Sequence, residues 1–171
     1  MVHIITEEGA ELPQYATELA SGADIKAFKL VAVYKSDQEV DLEKLAKLQE
    51  SFNERGFIKL RGFERAIFGT GNFIQDMSRN KEIQIRDRSG NSSKKGLKVM
   101  NSPGTIDADY RGEIKVTICN NTPFLNKIEK GQKIAQLVVA EVPHPREAFI
   151  RTFNAVTHTE RGDKGFGSTG N

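Results

Sequence analysis

The chain has 171 residues, with 25 Lys and Arg against 23 Asp and Glu and a formal charge of +2. This length suits one domain with a sizeable core, and the balanced charge gives no electrostatic footprint for nucleic acid or a membrane surface. Cys119 is the only cysteine, which excludes a disulfide framework or a cysteine metal cluster and fits a reducing compartment.

No apolar run approaches the roughly 20 residues that cross a bilayer. The N-terminus lacks a basic region followed by an apolar stretch, so the sequence predicts no secretory signal.

The first regular element predicted is a helix over residues 41–55, with Asp41 as its N-cap and Gly56 as its stop. The apolar residues on one face of this helix are Leu42, Leu45, Leu48 and Phe52. Because so short a helix is marginal alone, we expect this face to dock on a β core or on a neighbouring subunit.

The rest of the chain is typical of short strands separated by Gly, Asn and Pro turns, which predicts an all-β sandwich or barrel. Residues 57–60 and 63–68 flank Arg61-Gly62 as a hairpin would. Residues 83–85 and 113–119 alternate apolar and polar side chains, and residues 134–140 are apolar nearly throughout, as in a strand buried on both faces.

The run NSPGTIDADYRG at residues 101–112 is the most informative segment of the chain. It predicts a β-hairpin whose turn carries Asp107 and Tyr110, with Gly104 and Gly112 supplying backbone freedom. A carboxylate on such a turn can be aimed at a bound water, and the aromatic ring beside it can support a flat or sugar-like ligand. An ordinary solvated turn is the alternative on this segment alone.

Residues 161–171 contain four glycines with a single Arg161 and a single Phe166 among them. So glycine-rich a terminus does not pack without a partner. The spacing of the cation and the aromatic ring favours an arm that folds over a charged, flat ligand, rather than a tail without function.

Five segments in this order resemble those of the trimeric, all-β dUTPase family, enzymes that split dUTP into dUMP and pyrophosphate. They are ASGADIKA (residues 20–27), RSG (88–90) followed by Lys95-Gly96, the run at 101–112, GQKIAQL (131–137) and RGDKGFGSTG (161–170). The resemblance covers about residues 12–170 and departs at residues 91–95, where the family usually has an apolar residue and the phosphate loop would pack less tightly.

The resemblance implies a distorted β-barrel, jelly-roll-like dUTPase fold with one inserted α-helix and a flexible C-terminal arm. Residues 1–145 would form the β domain, with the helical insertion at about 35–57, and residues 146–171 the arm with its glycine-rich lid. It also implies a homotrimer with shared active sites, in the cytoplasm of a bacterial or phage-infected cell. The insertion is either a surface decoration or a site for a protein partner or trimer edge.

The resemblance also implies the roles of the residues that hold the nucleoside. Asp107 would be the general base for the water that attacks the α-phosphorus. Tyr110 would lie under the deoxyribose and exclude a 2′-hydroxyl, while Asn101 would read the uracil edge. The residues that would add backbone groups to this reading are Gly104, Thr105 and Ile106. Lys115 would be a further substrate contact.

The phosphate side would be built from the other segments. Arg88, Ser89 and Gly90 would bind the β-phosphate region, with Gln136 nearby. Asp24 would hold waters of a triphosphate-bound Mg²⁺, the implied cofactor. The lid residues are Arg161, which would clamp the γ-phosphate, Phe166, which would stack on uracil, and Gly167.

Two alternatives stay open. A dCTP deaminase resembles the same fold but requires a glutamate seven residues beyond the aromatic, where this chain has Thr117. The other is a phage-type dUTPase with an added regulatory role, in which the inserted helix binds a protein partner.

Overall fold

The structure is a computed structural model that describes residues 1–35 and 38–143. Within these ranges the chain forms thirteen strands and two helices. The strands are β1 (Val2–Thr6), β2 (Gln14–Tyr15), β3 (Ala23–Lys26), β4 (Lys29–Lys35), β5 (Gln38–Glu39), β6 (Phe57–Leu60), β7 (Arg65–Met77), β8 (Lys81–Asp87), β9 (Leu97–Val99), β10 (Gly104–Ile106), β11 (Glu113–Asn120), β12 (Asn126–Glu129) and β13 (Lys133–Glu141). The helices are α1 (Leu42–Glu54) and α2 (Ser89–Lys95). Neither helix has the length and apolar character that a membrane crossing requires.

The described strands form two large sheets and one small one, all antiparallel. The first has the order β5-β4-β7-β11-β9, with β1 paired to the far half of the long strand β7. The second has the order β10-β8-β13-β3-β2, and β12 with β6 makes the third. This is the all-β fold that the sequence predicts, with open sheets rather than a closed barrel.

One hydrophobic core lies between these sheets. It takes side chains from both large sheets and from α1, including Phe68, Ile114 and Ile134. The alternation predicted for residues 113–119 is confirmed, because Ile114, Val116 and Ile118 are buried while Lys115 is exposed. The same holds for Ile83 and Ile85 on β8.

The predicted helix is α1, and its docking on the β core is confirmed. Asp41 caps it, with its carboxylate accepting a hydrogen bond from the Lys44 amide at 2.8 Å. Phe52 is fully buried and its ring centroid lies 5.7 Å from that of Phe68. The prediction that Leu42 shares the buried face is wrong: Leu42 is 83% exposed, because it sits in the first turn, beyond the area that the core covers.

The predicted hairpin around Arg61-Gly62 is wrong. β6 pairs with β12, with Lys59 opposite Lys127, whereas β7 lies in the six-stranded sheet. The amide of Glu64 donates to the Arg61 carbonyl in a turn that redirects the chain between the two sheets. The partner of β6 is therefore distant in sequence, which local turn signals do not reveal.

The predicted hairpin at residues 101–112 is also wrong as to its pairing. β10 pairs with β8 in one sheet, and β11 pairs with β7 and β9 in the other. The segment that carries Asp107 and Tyr110 is therefore a loop that passes from the five-stranded sheet to the six-stranded sheet. Its position at this junction explains why it can be both exposed and anchored on two sides.

The apolar strand β13 is buried on both faces only in its first half. Ile134, Ala135 and Leu137 are buried, but Val139 is 39% exposed. The pairing of β13 with β3 ends at Leu137, so the second half has a strand on the β8 side alone. Residues 144–171, which include the predicted arm, lie outside the described part of the chain.

Candidate active site

A pocket of about 180 Å³ lies where the 101–112 segment meets β8 and β11. Seven of the residues predicted for the site line it: Asn101, Gly104, Thr105, Ile106, Asp107, Tyr110 and Lys115. Ile85 and Ile114 supply apolar wall. The structure thus brings together the residues of the 101–112 segment that the sequence assigns to base, sugar and water, with Lys115 beside them.

The loop between β10 and β11 holds Tyr110 through its backbone and its hydroxyl. The Tyr110 amide donates to the Asp107 carbonyl at 3.1 Å, which closes a four-residue turn. The Tyr110 hydroxyl donates to the Glu113 carbonyl at 2.9 Å, while the ring stays 41% exposed. One end of the ring is therefore fixed and its remaining surface is available to a ligand.

Glu113 anchors this arrangement, although no local pattern in the sequence distinguishes it. Its buried carboxylate accepts a hydrogen bond from the Gly71 amide at 2.8 Å and lies 3.3 Å from the Lys29 ammonium. Its carbonyl meanwhile receives the Tyr110 hydroxyl. A buried carboxylate requires such partners, and here they tie the Tyr110 ring to β7.

The two glycines of this segment provide space, which differs from the predicted backbone freedom. Neither Gly104 nor Gly112 has a positive φ. A Cβ on Gly112 would collide with the Tyr110 ring, reaching 2.6 Å from Cζ, and a Cβ on Gly104 would lie 3.0 Å from Nδ2 of Asn101. Glycine at these positions lets the backbone approach both side chains closely.

The Asp107 carboxylate is exposed at the pocket, and no hydrogen bond holds it among the described residues. Lys115 is exposed on the neighbouring strand, with its backbone opposite Gly69. An accessible carboxylate with vacant acceptor sites can bind and orient a water molecule. The pocket therefore has a carboxylate on its rim and a cation beside it.

A second group of predicted residues gathers around Asp24 on β3. This buried carboxylate accepts hydrogen bonds from Nε of Arg88 at 2.8 Å and from Nε2 of Gln136 at 3.3 Å, both through Oδ1. The ammonium of Lys133, which the sequence did not single out, lies 2.8 Å from Oδ2. Burial alone would raise the pKa of Asp24, but the hydrogen bonds and charges of Lys133 and Arg88 together hold that pKa below its usual value.

Arg88 stands at the N-cap of α2, a helix that the sequence did not predict. Ser89 and Gly90 are its first, exposed residues, and no atom would lie within 4 Å of a Cβ on Gly90. Asn91 is buried and donates to the Lys133 carbonyl at 3.0 Å, so this polar residue holds α2 against β13 where an apolar residue was expected. Among the described residues, the guanidinium of Arg88 makes only its Nε hydrogen bond, which leaves its two terminal nitrogens for a ligand.

Gly104 of the pocket and Asp24 of the second group lie on the same sheet but on different strands. Gly104 of β10 is opposite Ile85 of β8, which is opposite Leu137 of β13, which is opposite Ala23 of β3. Three strand spacings of about 4.8 Å each therefore separate Gly104 from Asp24 within one protomer, whereas Arg88 directly follows β8, the strand that pairs with β10. Arg161, Phe166 and Gly167, the predicted lid residues, lie outside the described part of the chain.

Comparison with known proteins identifies the family of this chain. The family model described as dUTPase matches residues 75–170. The deoxyuridine 5′-triphosphate nucleotidohydrolase of Chlamydia trachomatis is 40% identical over 96% of this chain and 94% of its own length. That of Hydrogenobaculum sp. is 40% identical over 95% and 92%. The chain belongs to the dUTPase family. It is a nucleotide hydrolase, a dUTP diphosphatase.

Solved structures agree on the fold. The dUTPase of Staphylococcus bacteriophage 80alpha, determined with dUpNHpp, matches with a TM-score of 0.71 at 22% identity, over 99% of this chain and 98% of that one. The dUTPase of Streptococcus mutans matches with a TM-score of 0.59 at 21% identity, over 82% and 95%. A point mutant of the dUTPase from phage phi11 of S. aureus, solved with a structural Mg(II) ion, has a TM-score of 0.60 at 19% identity, over 94% and 99%.

Proposed function

We propose that the protein hydrolyses dUTP through a water activated by Asp107. The observation that carries this proposal is the pocket in which Asp107, Tyr110 and Asn101 meet. Asp107 accepts a proton from the water while the water oxygen bonds to the α-phosphorus. At the same time the bond breaks between the α-phosphorus and the oxygen that bridges it to the β-phosphorus. The products are dUMP and pyrophosphate, so the reaction removes dUTP and supplies the precursor of dTMP.

The shape of the pocket supports selectivity for deoxyuridine. Tyr110, fixed through its hydroxyl, lies under the deoxyribose and leaves no room for a 2′-hydroxyl, which rejects UTP. Asn101 and the backbone groups of residues 104–106 read the uracil edge. Cytosine would leave buried donors and acceptors unpaired, which is a strong penalty. In this proposal the pocket also rejects the 5-methyl group of dTTP.

The Asp24 group supports the phosphate end. Arg88 keeps its terminal nitrogens for the β-phosphate region, joined by Ser89 and Gly90, while Gln136 contributes to the same shell. Lys115 is a further substrate contact. Arg161 clamps the γ-phosphate, and Phe166 stacks on uracil, with Gly167 allowing the lid to close. These contacts neutralise the triphosphate and exclude water.

The residues present fit a Mg²⁺ ion that is carried by the triphosphate. No group of three or more His, Cys, Asp or Glu side chains in the described ranges could form a metal cage. Mg²⁺ usually keeps several waters and needs only one or two carboxylates with substrate phosphates. Asp24 would hold such waters, since its two oxygens accept three hydrogen bonds and offer about four sites. When bound, the ion would neutralise phosphate charge.

We further propose a homotrimer in which each site combines residues of more than one chain. The separation of Gly104 from Asp24 and the exposed second half of β13 support this assembly. The lone Cys119 fits a cytoplasmic location. A protein partner at α1 finds no added support, since a single exposed Leu42 is an ordinary surface feature.

The test is a pyrophosphate-release assay with dUTP, dTTP, dCTP and UTP, with and without Mg²⁺. Only dUTP with Mg²⁺ should be turned over efficiently. Asp107→Asn should lower kcat by about a hundredfold or more while dUTP binding persists, because general-base loss costs on that scale. Asp109→Asn, an exposed carboxylate that does not line the pocket, is the matched control. An Asp107→Asn protein with most of its kcat would refute the mechanism, and a monomer by light scattering would refute the trimer.

A further inference from the structure

Asp87 makes two hydrogen bonds to one short segment on the neighbouring sheet. It is the last residue of β8, directly before Arg88. Its Oδ1 accepts a hydrogen bond from the Val99 amide at 2.6 Å, and its own amide donates to Oγ of Ser102 at 3.3 Å. An ionised acceptor makes a short hydrogen bond of this kind stronger than a neutral one. Asp87 therefore fixes residues 99–102 through both its side chain and its backbone.

These bonds join two parts of the molecule that carry substrate-binding residues. β8 belongs to the five-stranded sheet and β9 to the six-stranded sheet, where Val99 is opposite Ile118. The chain leaves β8 into Arg88, and it leaves β9 into Asn101 and Gly104. Asp87 thus links the start of the phosphate-binding turn to the segment that reads the base.

We propose that Asp87 is a positioning residue that sets the base-reading segment, residues 99–104, relative to Arg88. This rests on the proposed function, and it adds a residue that does not line the pocket. Asp87 instead lines a separate cavity of about 280 Å³ with Lys98, Met100 and Ser102. Its effect reaches the substrate through Asn101 and Arg88, so it acts on affinity and base discrimination and not on Asp107.

The experiment compares Asp87→Ala, Asp87→Asn and Ser102→Ala in the full-length protein. Asparagine keeps the Oδ1 acceptor for the Val99 amide, so Asp87→Asn is the conservative rescue. Asp76→Ala, an exposed carboxylate remote from both groups of site residues in the sheet order, is the matched control. Steady-state kinetics with dUTP and dCTP give kcat and KM, and hydrogen exchange gives the protection of residues 97–103.

Asp87→Ala should raise KM for dUTP about tenfold and lower the dUTP-to-dCTP ratio of kcat/KM by a similar factor, the scale of one charged hydrogen bond. Its kcat should stay within about threefold of the parent, because the backbone at Asp107 is held by β10 and by the hydrogen bond from the Tyr110 amide. Ser102→Ala should act in the same direction, by about threefold. Asp87→Asn should lie nearer to the parent than Asp87→Ala does in both kinetics and exchange, because it keeps the acceptor without its charge, and Asp76→Ala should resemble the parent.

A folded Asp87→Ala protein with unchanged KM and discrimination would overturn the proposal, and so would an Asp87→Asn protein as impaired as the alanine variant. If Asp87→Ala does not fold, the dUTP-to-dCTP ratio of kcat/KM of Ser102→Ala tests the proposal instead. A parent without dUTP turnover would overturn the proposed function. Faster exchange at residues 97–103 in Asp87→Ala but not in Asp87→Asn would still support the link between the two segments.

Discussion

Nε of Arg88 lies 2.8 Å from Oδ1 of Asp24, so one edge of the guanidinium is committed to a carboxylate buried on another strand. Lys133 occupies the second oxygen of that carboxylate. An unpaired charge at this position would be costly to bury. The ion pair between Arg88 and Asp24 therefore fixes the orientation of the guanidinium, and it makes the stability of the fold depend on the ionisation of Asp24.

Asp24→Asn should reduce stability in a pH-dependent way. The pKa of Asp24 in the folded protein is lowered from the ordinary value of 3.8, so its ionised form contributes stability that is fully present above about pH 4. This contribution is lost as pH falls below 3.8 through the folded pKa. Urea unfolding with a chelator, between about pH 3 and pH 7, should therefore show a difference from the parent that is constant at neutral pH and shrinks in acid. Asp76→Asn is the exposed control, and a difference that does not shrink would contradict the prediction.

Gly112→Ala should impair catalysis without unfolding the protein. The added methyl group would meet the Tyr110 ring at 2.6 Å from Cζ, so the ring must leave the position that we propose lies beneath the sugar. We expect kcat/KM for dUTP to fall by about a hundredfold, the scale of misplacing a binding group by about 1 Å, and the rejection of UTP to weaken. Thermal unfolding should change little, since Gly112 has an ordinary φ. Asp109→Ala in the same loop is the control, and an unchanged UTP-to-dUTP ratio would show that Tyr110 does not read the sugar.

The sequence predicted the elements of this fold better than their partners. The periodicity of Ile114, Val116 and Ile118 locates β11, and the spacing of apolar residues locates α1, because each pattern is local. Pairing is not local: β6 meets β12, which follows much later in the chain, as Lys59 opposite Lys127 shows. The turn signals after each strand could not distinguish a hairpin from a crossing to another sheet.

The same distinction separates the predicted site residues from those that the sequence missed. Residues 101–115 form the pocket largely within one segment, so the resemblance of that segment was sufficient. Lys133 belongs to the site because its ammonium pairs with the carboxylate of Asp24 on β3. Glu113 belongs to it because its carboxylate accepts a hydrogen bond from the Gly71 amide on β7. A basic residue three positions before Gln136 was the only signal for Lys133, and nothing local indicated Glu113.

Phe52→Ala should destabilise the protein severely, although it lies in the segment expected to be an insertion. Phe52 is fully buried against Phe68, so its removal leaves a cavity in the core. The expected loss is about 3–5 kcal/mol of unfolding free energy, measured by chemical denaturation. Leu42→Ala on the same helix should change stability by less than about 0.5 kcal/mol, because Leu42 is exposed. Equal effects of the two substitutions would show that α1 is not part of the core.

Truncation after Glu160 should lower kcat by about a hundredfold or more, because the loss of one charge-stabilising contact costs on that scale. The fold and the oligomer should persist. In the described part of the chain the buried core is formed by residues between Ala23 and Leu137, and the removed segment is rich in glycine, so thermal unfolding should hardly change. Its Arg161 and Phe166 would instead complete charge neutralisation and exclude water. The control removes residues 168–171 alone and keeps both side chains, so it should remain active. Protection of the segment from proteases should require a non-hydrolysable dUTP analogue with Mg²⁺. Equal protection without ligand, or an unchanged kcat after truncation, would show that the segment is not a lid.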